Sequence, residues 1–159
     1  MATTNTIDAS LSTSPSQRGD NRLLSRFATR KVGNDGVEER VTLLPVEEVL
    51  YFFTAGALSP RPTIMDAKWR EWKLFSSGRV YVRTAKGLFV TRYRTLGRIL
   101  ARLDPEKFLR IDRSLAVNVL KIVDVDLVPK LKQVGVSASG STERLTVSRR
   151  ALKNLLLVV

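Results

Sequence analysis

Arg110, Asp112, Arg113 and Ser114 stand together in the stretch FLRIDRSLAVNVLKI, from Phe108 to Ile122, at the mouth of an apolar, strand-like series. Two guanidinium groups, an acid and a hydroxyl make no acid–base couple for covalent chemistry. They can hold anions. A guanidinium is a planar fork that bonds two phosphate oxygens, or guanine O6 and N7, at once. A similar group, Ser148, Arg149, Arg150 and Lys153, follows Val147 near the end of the chain. Between them the field is one-sided: basic residues recur from Arg79 to Arg113, opposed only by Asp104, Glu106 and Asp112.

The whole chain carries this bias. It has 159 residues, with 27 Lys and Arg against 15 Asp and Glu and a formal net charge of +12. Such a surface attracts nucleic-acid phosphates irrespective of sequence. Cysteine and histidine are both absent, which removes thiolate chemistry, disulfides, the usual near-neutral base and the commonest metal ligand. No enzyme and no cofactor is expected. No apolar run approaches the ~18 residues of a spanning helix, and no signal peptide is visible, so a cytoplasmic protein without a membrane partner is expected.

Alternative roles exist for the same residues. Arg113 could pair with Asp112 or Asp104, although exposed pairs stabilise by only ~0–1 kcal/mol. Ser114 and Ser148 could cap local backbone. Arg149 at a helix start opposes the macrodipole slightly, which favours an outside anion as its partner.

The elements that must position these groups are mostly short strands. Residues 1–22, rich in Ser, Thr and Asn, read as a flexible tail. Strands near 25–32 and 37–44 flank the hairpin signal GNDG, and Val49 to Phe53 form a β-prone run. Residues 56–78 read as an insertion in which Thr63 caps a helix over 64–74, carrying Trp69 and Trp72 as a packed lid or as anchors for a partner. Val80 to Arg83 and Leu88 to Thr91 make a hairpin about Lys86-Gly87. Leu96, Ile99, Leu100 and Leu103 share one helical face behind Thr95 as N-cap. A strand follows over Leu115 to Val119, then another from Ile122. A last hairpin crosses SASGST, and a closing helix capped by Ser148 turns Ala151, Leu152, Leu155 and Leu156 inward. The expectation is one domain over 23–159, mainly β with one or two short helices.

Three segments, LPVEEVLYFFTAG, FLRIDRSLAVNVLKIVDV and LTVSRRALKNL, together resemble the LytTR DNA-binding domain. That family shows an F-x-R-x-H-R-S-x-x-V-N segment and a terminal V-S-R-R-type segment. Here these fall on Phe108, Arg110, Asp112, Arg113, Ser114, Val117 and Asn118, then on Val147 to Arg150. The resemblance covers about 37–159. It implies an elongated, multi-sheet fold of short antiparallel hairpins that lies along double-stranded DNA, sends loops into successive major grooves and bends it. It puts base-reading on Arg113 and Arg149, with a third contact near Gly78 and Arg79. Arg110, Asp112, Ser114, Asn118, Ser148, Arg150 and Lys153 then support those loops or touch the DNA backbone. Asp112 departs from the family, which usually has His there, and a stand-alone module is expected, without the receiver domain that commonly precedes it.

The function expected is a sequence-specific regulator of transcription that self-associates on repeated half-sites. RNA binding through Tyr81, Phe89 and Tyr93 is an alternative, as is a regulatory protein partner held by Trp69 and Trp72.

Overall fold

The computed structural model describes residues 22–58, 64, 68–72, 74–126, 132–138 and 141–158. The tail expected over 1–22 and the capping role of Thr63 lie almost wholly outside them. β1 (Arg26–Gly33) and β2 (Gly36–Pro45) pair in an antiparallel hairpin, closed where Gly36 takes a φ of 140°. β3 (Val49–Phe53) is buried along its whole length. β4 (Tyr81–Thr84) and β5 (Gly87–Thr91) form the next hairpin, and Gly87 has a φ of 145° that an L side chain rarely adopts. After α1 (Leu96–Leu100) come β6 (Phe108–Asp112) and β7 (Leu115–Asn118), then β8 (Ile122–Asp126), β9 (Gln133–Ala138), β10 (Ser141–Thr146) and α2 (Arg149–Val158).

Among the described residues the strands form two antiparallel sheets. A seven-stranded sheet runs in the order β2-β1-β5-β4-β3-β7-β6, and a three-stranded sheet in the order β10-β9-β8. β3 lies inside the larger sheet, and its alternation feeds two cores. Phe52 joins Phe27, Val82, Phe89, Leu96 and Ile99 on the α1 face. Tyr51 and Phe53 point the other way, to Tyr81, Trp69, Val136, Leu145 and Leu155. The second core therefore glues the small sheet and α2 onto the large one. The mainly β class with two short helices is what the strand pattern predicts.

Three local expectations are corrected. Among the described residues of 64–74, the expected helix is not seen. Ile64 makes an isolated bridge with Leu145, and only Lys68–Glu71 coil into a short 3-10 turn. Packing overrides the loose helical spacing there, because Trp69 stacks on Phe53 with ring centroids 4.8 Å apart and Phe75 meets Tyr81 edge-on at 5.0 Å. Leu156 is 51% exposed, since Ala151, Leu152 and Leu155 already fill the inward stripe of α2. The strand from Leu115 stops at Asn118 rather than Val119. The Asn118 side chain accepts from Leu120 N at 3.0 Å and so starts a 3-10 turn over Val119–Lys121.

Candidate nucleic-acid interface

Strand register gathers the candidate residues. Phe53 pairs with Tyr81 on one side and with Leu115 on the other. The chain that enters β4, the chain that leaves β3 and the turn that enters β7 therefore meet at one end of the large sheet. Gly78 and Arg79, Thr54 to Gly56, and Arg113 with Ser114 all lie there. Val80 N donates to Tyr93 O at 3.1 Å, which brings Arg92 and Arg94 to the same end.

The β6–β7 turn is held by its own polar groups. Arg110 Nε donates to Asp112 O at 3.3 Å, and a terminal nitrogen of Arg110 donates to Arg113 O at 2.6 Å. Asp112 Oδ1 accepts from Ser114 N at 3.1 Å, an Asx-type turn. Thr54 N donates to Ser114 O at 2.9 Å, which ties the turn to the end of β3. Gly56 leaves a notch for the Ser114 hydroxyl, and a Cβ at residue 56 would collide with Ser114 Oγ. With its backbone fixed from three directions, the exposed Arg113 side chain has no partner among the described residues. The pair with Asp112 or Asp104 is not formed, because Asp112 is engaged by the turn and Asp104 by Glu106 N at 2.9 Å.

The second site is built by α2. Ser148 Oγ accepts from Ala151 N at 3.1 Å and Ser148 O accepts from Leu152 N at 2.9 Å, so Ser148 is the helix N-cap. Arg149, Arg150 and Lys153 are exposed, and their side chains have no partner among the described residues. α2 lies against β6, the strand that ends at Asp112, and Ile111 shares a core with Ala151, Leu152 and Leu155. Gly78 has a φ of 76°, in the left-handed region that favours glycine, and the exposed Arg79 follows it without a partner among the described residues.

Not every basic or polar candidate belongs to this surface. Asn118 is buried; its Nδ2 donates to Val49 O at 2.9 Å while Oδ1 caps the 3-10 turn. It sits at the other end of β7 from Arg113, and its role is structural. Arg144, close to Arg149 and Arg150 in the sequence, is paired with Asp124 across Gly135. Arg83 is paired with the buried Glu143 at 2.8 Å, and Lys86 with Glu48 at 3.4 Å. Trp69 is a core residue that presents no free face, and Trp72 packs half-buried against the same cluster. Tyr81 and Phe89 are buried too, so neither offers a ring for a base to stack on.

Sequence reasoning missed the Tyr51–Glu143–Arg83 network. Tyr51 OH donates to Glu143 Oε1, and Arg83 Nε donates to Oε2 at 2.9 Å. It joins β3 and β4 of the large sheet to β10 of the small one. Burial, and after it the neighbouring Glu143 carboxylate, push the Tyr51 phenol well above its ordinary value. A lone acid in the apolar run of a short strand, ERLTV, was the available signal.

A β-rich domain that leaves loop arginines unpaired at one sheet end, under a strongly positive field, has the form of a nucleic-acid-binding module. A family model for the LytTr DNA-binding domain matches residues 75–158, more than half of the chain, and the chain belongs to that family. The match takes in the two arginine-bearing segments and leaves the LPVEEVLYFFTAG segment outside. Among solved structures the fold is similar to a LytTr DNA-binding domain from Bacillus cereus described as part of a methyl-accepting/DNA response regulator. The two share 19% identity and a TM-score of 0.52, over 82% of this chain and 96% of that one. A comparison with curated proteins finds no match. Among the described residues, no helix is long and apolar enough to cross a membrane and no group of His, Cys, Asp and Glu could hold a metal ion.

Proposed function

We propose that this DNA-binding domain is a sequence-specific regulator of transcription that reads double-stranded DNA through Arg113, Arg149 and Arg79. The observation that carries the proposal is the state of Arg113. Its backbone is held by Arg110, Asp112 and Ser114 while its guanidinium is exposed and unpaired. With the loop backbone already ordered, only the side chain has to settle when the fork meets a guanine edge in the major groove. Arg92, Arg94 and Arg150 supply a field for phosphates around it. Gly78, Ser114 and Ser148 shape the loops, and Lys153 lies one turn along α2 from Arg149.

Reading two loops along one face requires the grooves to approach both, so the DNA bends. Repeated half-sites would then be occupied by two copies. The test is selection of bound duplexes in vitro, followed by titration of Arg113→Ala and Arg149→Ala on the selected site. Each is expected to lose ~1–3 kcal/mol and to relax preference at its own base pair. Unchanged affinity and unchanged preference in both variants would refute the assignment. Ultracentrifugation with a two-site duplex tests the half-site reading, which a strict one-to-one complex overturns.

A further inference from the structure

Among the described residues, nothing covers the large sheet toward its β2 edge, where Val37 and Val41 are exposed. Where the small sheet and the Trp69 segment stop, the outer strands enclose a groove of about 660 Å³, within the ~300–1,000 Å³ usual for small-ligand sites. Tyr81 and Val90 form its buried floor. Val37, Val41 and Leu74 form its walls, exposed by 47%, 54% and 36%. Arg30, Arg79 and Arg92 stand around it, and among the described residues no carboxylate lines it. None of these three guanidinium groups has a partner among the described residues.

The polar atoms of the floor are already engaged. Thr29 Oγ1 donates to Thr42 O at 2.8 Å, Thr91 Oγ1 donates to Val80 O at 2.9 Å, and Tyr81 OH accepts from Ser76 N at 3.1 Å. The groove therefore offers apolar surface below and cations at the rim, with little else. DNA phosphates would explain the arginines but not the exposed valines, which gain nothing from a sugar–phosphate chain. A second copy pairing along β2 fits poorly, because the charged stretch Glu38 to Arg40 lies where the β1–β2 register is irregular.

We propose that this groove binds an amphipathic organic anion, with an aliphatic body on Val37, Val41 and Leu74 and a carboxylate or phosphate head on the arginines. Arg79 is shared with the DNA face. Occupancy therefore competes with DNA, which would make the domain responsive to a small molecule; this competition rests on the DNA reading above, whereas binding itself does not.

The test is calorimetric titration of the full chain, below micelle concentrations, with decanoate, decyl phosphate and decanol. Saturable binding of either anion about tenfold tighter than decanol is expected, and the stronger of the two identifies the head group. Val41→Asp is expected to weaken the anion by about tenfold. Arg30→Gln is expected to weaken it while leaving decanol unchanged, and circular dichroism confirms that both variants are folded. Absence of saturation, equal binding of decanol, or anion binding unaltered in both variants would overturn the site. With the anion bound, DNA affinity is expected to fall several-fold. If the anion binds as described and DNA affinity does not move, the groove stands and the placement of Arg79 on DNA is refuted.

Discussion

Glu143→Gln is the sharpest perturbation of the way the two sheets are joined. Glu143 is 3% exposed, and both of its carboxylate oxygens are engaged, one by Tyr51 OH and one by Arg83. A glutamine keeps the volume and one acceptor. Its amide nitrogen would face the Tyr51 hydroxyl, and the Arg83 guanidinium, 14% exposed, would lose its counter-charge. Removing one member of a buried pair costs about 3–5 kcal/mol. Arg83 keeps its bond to Thr84 O at 3.1 Å and some contact with water, which argues for the low end. About 3 kcal/mol corresponds to a drop of about 10 °C in Tm for a domain of this size. Urea unfolding followed by circular dichroism measures the loss.

A double-mutant cycle with Tyr51→Phe separates the network from simple burial. The two changes share the Oε1 contact, so a coupling of about 1 kcal/mol or more is expected. A loss below about 1 kcal/mol for Glu143→Gln, or strict additivity, would mean that apolar contacts such as Phe53 with Val136 and Leu145 hold the sheets without help from the charges.

Three further outcomes follow from the same geometry. The unfolded chain ionises Tyr51 near pH 10, while the folded chain keeps that proton because its phenol is held higher. Stability is therefore complete below pH 10 and falls as pH rises above it, and Tyr51→Phe should flatten that alkaline fall in a series of urea titrations. Gly56→Ala should displace Ser114 and weaken DNA binding roughly fivefold, a strain of about 1 kcal/mol; gel shifts should show Ser114→Ala restoring affinity in the double variant. Gly135→Ala would set a Cβ 2.8 Å from Thr142 Cγ2 and 2.7 Å from Asp124 Oδ1. It should cost about 1–3 kcal/mol by overpacking, more than Asp124→Ala, which removes only an exposed pair.

Hairpins and caps were legible because their determinants are local. GNDG, Lys86-Gly87, Thr95 and Ser148 each act within a few residues, and each does so in the structure: Thr95 accepts from Arg98 N at 3.3 Å as Ser148 accepts from Ala151 N. What the sequence hid depends on distant partners. Arg83 and Arg144 look like Arg92 and Arg149 in composition, yet Glu143 and Asp124 meet them only after the small sheet docks. The 64–74 segment failed for the same reason. Trp69 is placed by Phe53 and Ile64 by Leu145, partners that no window around Trp69 contains. The motif around Arg113 was readable as a resemblance, but the function of Gly56 in it was not, since the two positions are joined only through the pairing of β3 with β7.

The partition of the arginines carries the functional argument one step further. A basic chain can place its cations anywhere that water reaches, and stability does not choose among such places. Here the cations divide by what surrounds them. Where sheet meets sheet, each has a carboxylate. At the far end of the large sheet, Arg79, Arg92 and Arg113 have none, although Asp112 and Asp104 are near in sequence. Both acids are held away from them by backbone N–H groups. In the turn, Asp112 stabilises the loop that carries Arg113 without neutralising it. A residue in that position with no acceptor should free the turn, whereas Asp112→Asn keeps the acceptor and removes the negative charge. If charge near the DNA is the only thing that matters, Asp112→Asn and Asp112→Ala will both tighten binding in low salt. If the turn matters as argued, only Asp112→Asn will do so, and Asp112→Ala will lose discrimination between the selected site and random duplex.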